Sequence, residues 1–130
     1  MPEKTYEPGI HHIEFWIANL EESMKFYRQL FSIICWTQLN ETAFSTGKTE
    51  LYFKEIGAEL VHTLGPRHIC YQAMNRSVVD EVAHFLHNVR AKIIRGPIEM
   101  KEYSEGYYTV DFHDPNGYIL EVAYAPNMEM

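Results

Sequence analysis

The sequence predicts an α+β fold made of two tandem βαβββ modules in one domain. Three observations carry this: a repeated octapeptide, an Asn-capped amphipathic stretch after each copy, and strand-like text closing each half. Residues 12–19 read HIEFWIAN and residues 68–75 read HICYQAMN, an offset of 56 residues in a chain of 130. Pro8-Gly9 precedes the first copy and Gly65-Pro66 the second. Similarity at nearly half the chain length marks an internal repeat, and a repeat decides the fold before any single element does.

In the first half the octapeptide reads as a strand. Asn19 is placed to cap a helix, with Glu22 three residues on to close a capping box. Leu20, Met24, Tyr27, Leu30 and Phe31 recur at helical spacing and form the apolar stripe. Ile33-Ile34-Cys35-Trp36 is strand-like and leads to two short runs, 42–45 and 49–53, flanking Thr46-Gly47-Lys48. In the second half Asn75 is the cap, and Val78, Val79, Val82, Leu86 and Val89 are the stripe. Strand text follows at 92–95, 108–113 and 118–124, the last two flanking Asp114-Pro115-Asn116-Gly117, strong hairpin punctuation. Glu50 aligns with Glu121 at an offset of 71. The extra residues of the second half are expected in 96–106, a Pro/Gly/Glu-containing segment with no periodicity. The modules span about 8–62 and 65–126 of a single domain, 1–130.

Eleven Lys+Arg stand against 18 Asp+Glu, a formal charge of -7, which argues against a general nucleic-acid or anionic-membrane binder. An apolar content of 46% is that of a globular domain. Two cysteines, Cys35 and Cys70, make neither a disulfide framework nor a zinc ribbon and fit a reducing cytosol. The opening MPEKTYEPGI has no apolar leader run, so a cytoplasmic location is expected.

Strand parity sorts the candidate chemistry, since successive side chains point to opposite faces. His12, Glu14 and Trp16 share a face, as do Glu50, Tyr52 and Lys54; His68, Cys70 and Gln72; and Ile119, Glu121 and Ala123. Each half thus offers one His on its first strand and one Glu on its last. Two imidazoles and two carboxylates related by a pseudo-twofold suit a divalent ion: zinc, nickel, cobalt, manganese or iron. The symmetric pattern, not any one residue, carries this expectation. The same faces make Trp16, Tyr52 and Gln72 candidates for the substrate pocket.

The other histidines are set aside. His11 is read as pointing away from His12. His84 and His87 are read as a solvated helix face, His62 as loop and His113 as turn. Cys70 is expected to be a buried, inert thiol, since no basic neighbour is evident to lower its pKa. Segment 96–106, with Tyr103, Tyr107 and Tyr108, is a candidate lid or substrate wall, and equally a dimer contact.

The chain resembles the vicinal oxygen chelate superfamily, which includes glyoxalase I, bleomycin- and fosfomycin-resistance proteins, methylmalonyl-CoA epimerase and extradiol dioxygenases. The motifs that carry the resemblance are GIHHIEFWIANLEESMKFYRQLF, GPRHICYQAMN and DFHDPNGYILEVAY, and it extends over 10–125. It implies an open, incomplete β-barrel around a divalent metal, in chains that pair as homodimers. By the same resemblance the metal ligands fall on His12, His68 and Glu121, with the fourth on Glu50 or its neighbour Tyr52.

A His, Glu, His, Glu set is most similar to glyoxalase I. This implies a lyase or isomerase acting on a 2-oxoaldehyde–thiol adduct, with glutathione or bacillithiol as the thiol and Glu121 or Glu50 as the catalytic base. Departures from the family are Asn19 in place of Asp, Leu30-Phe31-Ser32 in place of Leu-Gly, and no evident basic cluster for glutathione carboxylates. Two other readings stand beside this one: fosfomycin-type addition of thiol or water to an epoxide, and non-enzymatic sequestration of a bleomycin-type cationic drug.

Overall fold

A computed structural model describes residues 8–56 and 67–127; His62, Gly65 and Pro66 lie outside them. The first module runs β1 (His12–Ile17), α1 (Leu20–Ile33), β2 (Thr37–Asn40), β3 (Ala43–Ser45) and β4 (Glu50–Glu55). The second runs β5 (Ile69–Gln72), α2 (Arg76–Asn88), β6 (Ile93–Glu99), β7 (Tyr108–His113) and β8 (Ile119–Tyr124). The repeat is therefore a structural duplication. Each module forms a four-stranded sheet, ordered β1-β4-β3-β2 and β5-β8-β7-β6, with its first strand at the edge and parallel to its last strand, which lies inside the sheet. The two sheets are not closed into one barrel.

Alternation explains how each helix meets its sheet. Phe15, Ile17, Leu51 and Phe53 turn to one face of the first sheet and are buried, as are Tyr71, Val110, Phe112, Leu120 and Val122 in the second. The helices cover these faces with the expected stripes. Tyr27, Leu30 and Phe31 on α1 and Val79, Val82 and Leu86 on α2 are fully buried, each aliphatic side chain contributing about 1.5–3 kcal/mol. The helices also pack on each other, with Phe26 and Phe85 ring centroids 5.3 Å apart. One core thus spans both modules, and the opposite faces of the sheets remain open.

Both Asn caps form. Asn19 Oδ1 accepts from the Glu22 N–H at 2.9 Å and Asn75 Oδ1 from the Val78 N–H at 3.1 Å. Glu22 is not the residue that completes the first turn: Glu55 of β4 reaches over and accepts from the Leu20 N–H at 3.0 Å.

Two expectations about local structure are corrected. Ile33-Ile34-Cys35-Trp36 is not a strand. Ile34 prolongs the buried stripe, so α1 runs through Ile33 and closes with the Trp36 N–H on the Phe31 carbonyl at 2.9 Å. Cys35 makes this turn at φ 68°, the left-handed conformation that helix ends most often give to glycine. Arg90 ends α2 the same way, at φ 57°, with the Ala91 N–H on the Leu86 carbonyl. Nor is 96–106 one loop. β6 continues through Gly96 and Pro97 to Glu99, because a register shift between Arg95 and Ile98 puts the proline where the ladder needs no N–H. Gly96 has φ 96°, and a Cβ there would lie 2.4 Å from the Thr109 carbonyl oxygen. The loop proper is 100–107.

The Asp114-Pro115-Asn116-Gly117 turn latches the modules together. Asp114 is buried and accepts from the Tyr27 hydroxyl at 2.5 Å and from the Asn116 and Tyr118 N–H groups at 2.8 Å each. Asn116 accepts from the Ala18 N–H and donates to Ser23 Oγ, each at 3.0 Å. Burial raises the Asp114 carboxyl above its ordinary value despite these donors.

Candidate functional site

The expected site residues fall into two pairs, one on the open face of each sheet. On the first sheet His12 and Glu50 are register partners on the parallel strands β1 and β4. Their rows continue as Glu14 beside Tyr52 and Trp16 beside Lys54. The Tyr52 hydroxyl donates to Glu50 Oε1, and the His12 and Tyr52 rings meet edge to face at 5.5 Å. Trp16 stands 57% exposed, its Nε1–H on Glu14 at 3.2 Å. His11 corrects the parity argument. It precedes β1, where alternation has not begun, and its Nδ1 lies 3.0 Å from His12 Nδ1.

On the second sheet His68 Nε2 lies 3.1 Å from Glu121 Oε1. Glu121 is 5% exposed, and Oε2 accepts from the Tyr107 hydroxyl and the Thr109 hydroxyl at 2.6 Å each. Burial alone would raise this carboxyl, but the Thr109 and Tyr107 donors, joined by His68, hold it below the ordinary carboxylate range. Tyr107, from the end of the loop, covers Glu121, and its own pKa is raised by burial and by this hydrogen bond. Tyr108 points the other way, to Asp80 on α2. Of the three loop tyrosines, Tyr107 and Tyr103 are the ones that wall the site.

The second pair sits in a cleft of about 650 Å³ whose lining includes Arg67, His68, Arg95, Tyr103, Tyr107 and Glu121. The structure thus supplies basic side chains that the sequence did not reveal as a cluster. Arg67 Nη1 lies 3.3 Å from His68 Nδ1, and Arg95 is held by Asp111 at 2.8 Å and by the Tyr103 hydroxyl at 3.3 Å. Pairing of β6 with β7 brings Arg95 to Asp111, a contact with no sequence signal of its own. Gln72 is exposed on the same face. Cys70 is also exposed, not buried as expected, but its Sγ turns toward the Tyr71 carbonyl at 3.7 Å. Burial of the sulfur and the Glu121 carboxylate push this thiol up to about 12, so the expected inertness has a physical basis.

His84 and His87 are exposed on α2, and His113 Nδ1 meets the Gly117 carbonyl in the turn at 3.1 Å. Among the described residues no three His, Cys, Asp or Glu side chains gather as a metal site would require. The two His/Glu pairs therefore remain apart within one chain. Each pair nevertheless joins an imidazole to a carboxylate, donor types that a divalent ion accepts. Two ligands at about 2.1 Å from one ion and at right angles lie about 3 Å apart, and His68 Nε2 and Glu121 Oε1 have that separation.

Residues 9–122 match the profile of the Glyoxalase/Bleomycin resistance protein/Dioxygenase superfamily. No curated protein matches the sequence. Among solved structures, a candidate glyoxalase from Bacillus halodurans is similar at 26% identity and a TM-score of 0.75, over 89% of this chain and 95% of that one. A glyoxalase/bleomycin resistance protein from Albidiferax ferrireducens gives 16% identity and a TM-score of 0.73, over 89% and 98%. A glyoxalase/dioxygenase from Nostoc punctiforme gives 15% and 0.69, over 98% and 100%. At these last two identities the likeness is one of fold.

Proposed function

The chain belongs to the Glyoxalase/Bleomycin resistance protein/Dioxygenase superfamily, and from that premise we propose that it is a divalent-metal-dependent, glyoxalase I-like lyase or isomerase. Its substrate is the adduct of a 2-oxoaldehyde with a thiol such as glutathione or bacillithiol. The observation that carries this reading is the His68–Glu121 pair, 3.1 Å apart in a cleft, duplicated by symmetry as His12 beside Glu50. His12, Glu50, His68 and Glu121 would hold the metal. When bound it supplies Lewis-acid stabilisation of charge developing on an oxygen next to the reacting carbon.

We further propose that two copies complete the site as a homodimer, module 1 of one chain facing module 2 of its partner. The open faces support this: they carry the separated ligand pairs together with Trp16, 57% exposed, and Tyr103, 50% exposed. A symmetric pair of such interfaces closes without leaving an unmatched surface.

Within the site one carboxylate, Glu121 or its mate Glu50, takes the proton from the carbon next to the carbonyl and returns it to the adjacent carbon. Tyr107 and Thr109 fix Oε2 of Glu121, leaving Oε1 toward the cleft. Trp16, Tyr52, Gln72 and Tyr107 wall the pocket. Arg67, which has no carboxylate partner among the described residues, favours a substrate with an anionic group. The same observation supports a second reading, thiol addition to an anionic epoxide such as fosfomycin, over sequestration of a cationic drug.

Chain loaded with nickel or zinc is expected to convert a methylglyoxal–glutathione or methylglyoxal–bacillithiol adduct. Glu121→Gln should abolish turnover while leaving the circular dichroism spectrum unchanged. Turnover of fosfomycin alone selects the second reading, and full activity in Glu121→Gln overturns the assignment of Glu121.

A further inference from the structure

A second cleft lies on the helix side of the molecule, about 520 Å³ in volume, where α1, the end of α2 and the β7–β8 turn meet. It shares no lining residue with the cleft around His68 and Glu121, and it is away from the faces proposed to meet in the dimer. Its floor is apolar: Phe26, Val89, Ala91 and Pro115. Val89, expected in the apolar stripe of α2, is instead its C-cap and stands 40% exposed. Above the floor are three cations, Lys25, Arg90 and Lys92. None of them has an ion-pair partner among the described residues, in a chain whose acids outnumber its bases 18 to 11.

The two acids that line this cleft, Glu22 and Asp114, form no ion pair with the three cations among the described residues. Asp114 has both oxygens taken by Tyr27, Asn116 and Tyr118, and Glu22 lies in the first turn of α1. His113 adds a donor or acceptor. Its Nδ1 must carry the proton it gives to the Gly117 carbonyl, which leaves Nε2 free. An apolar floor with a few polar groups around it is the usual make-up of a small-molecule site.

We propose that this cleft binds a small amphiphilic anion, a compact apolar body bearing one phosphate or carboxylate. The apolar body lies over Phe26, Val89 and Pro115, and Lys25, Arg90 and Lys92 hold the charged end. The site is independent of the metal chemistry proposed for the strand faces.

The test is a titration of the ¹⁵N-labelled full chain with phenyl phosphate and, separately, benzoate, followed by amide shifts. Saturable shifts are expected at Lys25, Phe26, Val89, Arg90, Lys92 and His113, for whichever head group binds. Lys25→Gln and Lys92→Gln, exposed positions where folding is not at stake, should each weaken binding about fivefold, the weight of one solvent-screened charge contact. Glu121→Gln should leave binding unchanged. Three results would overturn the proposal: no saturable shift at these residues, shifts confined to Arg67 and Arg95, or equal binding of neutral phenol.

Discussion

Replacing Asp114 with alanine tests the latch between the modules, and its expected cost follows from the donors left behind. Tyr27 is fully buried, so its hydroxyl loses a 2.5 Å acceptor with no water to replace it. The Asn116 and Tyr118 N–H groups lose theirs at 2.8 Å, whereas the Asn116 side-chain amide keeps Ser23. A buried donor without a partner costs about 1–3 kcal/mol. Tyr118 is half-buried, and removing a desolvated carboxylate returns part of the loss. The net expectation is about 4 kcal/mol, against a total domain stability of roughly 5–15 kcal/mol. Urea unfolding followed by far-UV circular dichroism should show a lower midpoint with an unchanged slope.

Asp114→Asn keeps an acceptor for both backbone N–H groups and should cost less. Its pH dependence has a defined sign. The native carboxyl is raised above the ordinary 3.8, so the native state binds this proton more tightly than the unfolded chain. That stability is fully present below the unfolded pKa and is lost as pH rises through the native one. The advantage of wild type over Asp114→Asn should therefore shrink from about pH 3.5 toward neutrality. A cost for Asp114→Ala within about 1 kcal/mol of zero would refute the latch.

Three further outcomes are expected. Gly96→Ala should destabilise by about 2 kcal/mol or more, measured by thermal melting, since its Cβ would sit 2.4 Å from the Thr109 carbonyl at a φ of 96°. Tyr107→Phe removes the 2.6 Å donor to Glu121 and should lower kcat about tenfold, the weight of one hydrogen bond to a charged group; an unchanged kcat would mean the tyrosine only covers the site. At pH 8, iodoacetamide followed by mass spectrometry should label Cys35 well before Cys70. A thiol at about 12 is ionised to only about one part in ten thousand at that pH.

Local signals made the duplication legible. Asn19 and Asn75, the stripes on α1 and α2, and the Asp-Pro-Asn-Gly turn each act within a few residues, and each appears where its chemistry places it. Parity also put His12, Glu50, His68 and Glu121 on the open faces. Parity failed at His11, which lies outside the regular strand, and composition misled at 33–36, where apolar residues serve a helix end as readily as a strand. Gly96 and Pro97 read as loop because a bulge tolerates the same residues. The contacts of Arg95 with Asp111, of Tyr107 with Glu121 and of Tyr27 with Asp114 depend on strand pairing or core packing, which leave no periodic trace in the chain.

A working site that joins His12 and Glu50 of one chain to His68 and Glu121 of another is tested directly by mixed dimers. His12→Ala/Glu50→Gln and His68→Ala/Glu121→Gln chains should each be inactive alone. Unfolded together and refolded with metal, they should form mixed dimers in which one site has all four ligands and the other has none, and adduct isomerisation should return. A mixture as inactive as its parents, with mixed dimers present by native mass spectrometry, would contradict the account.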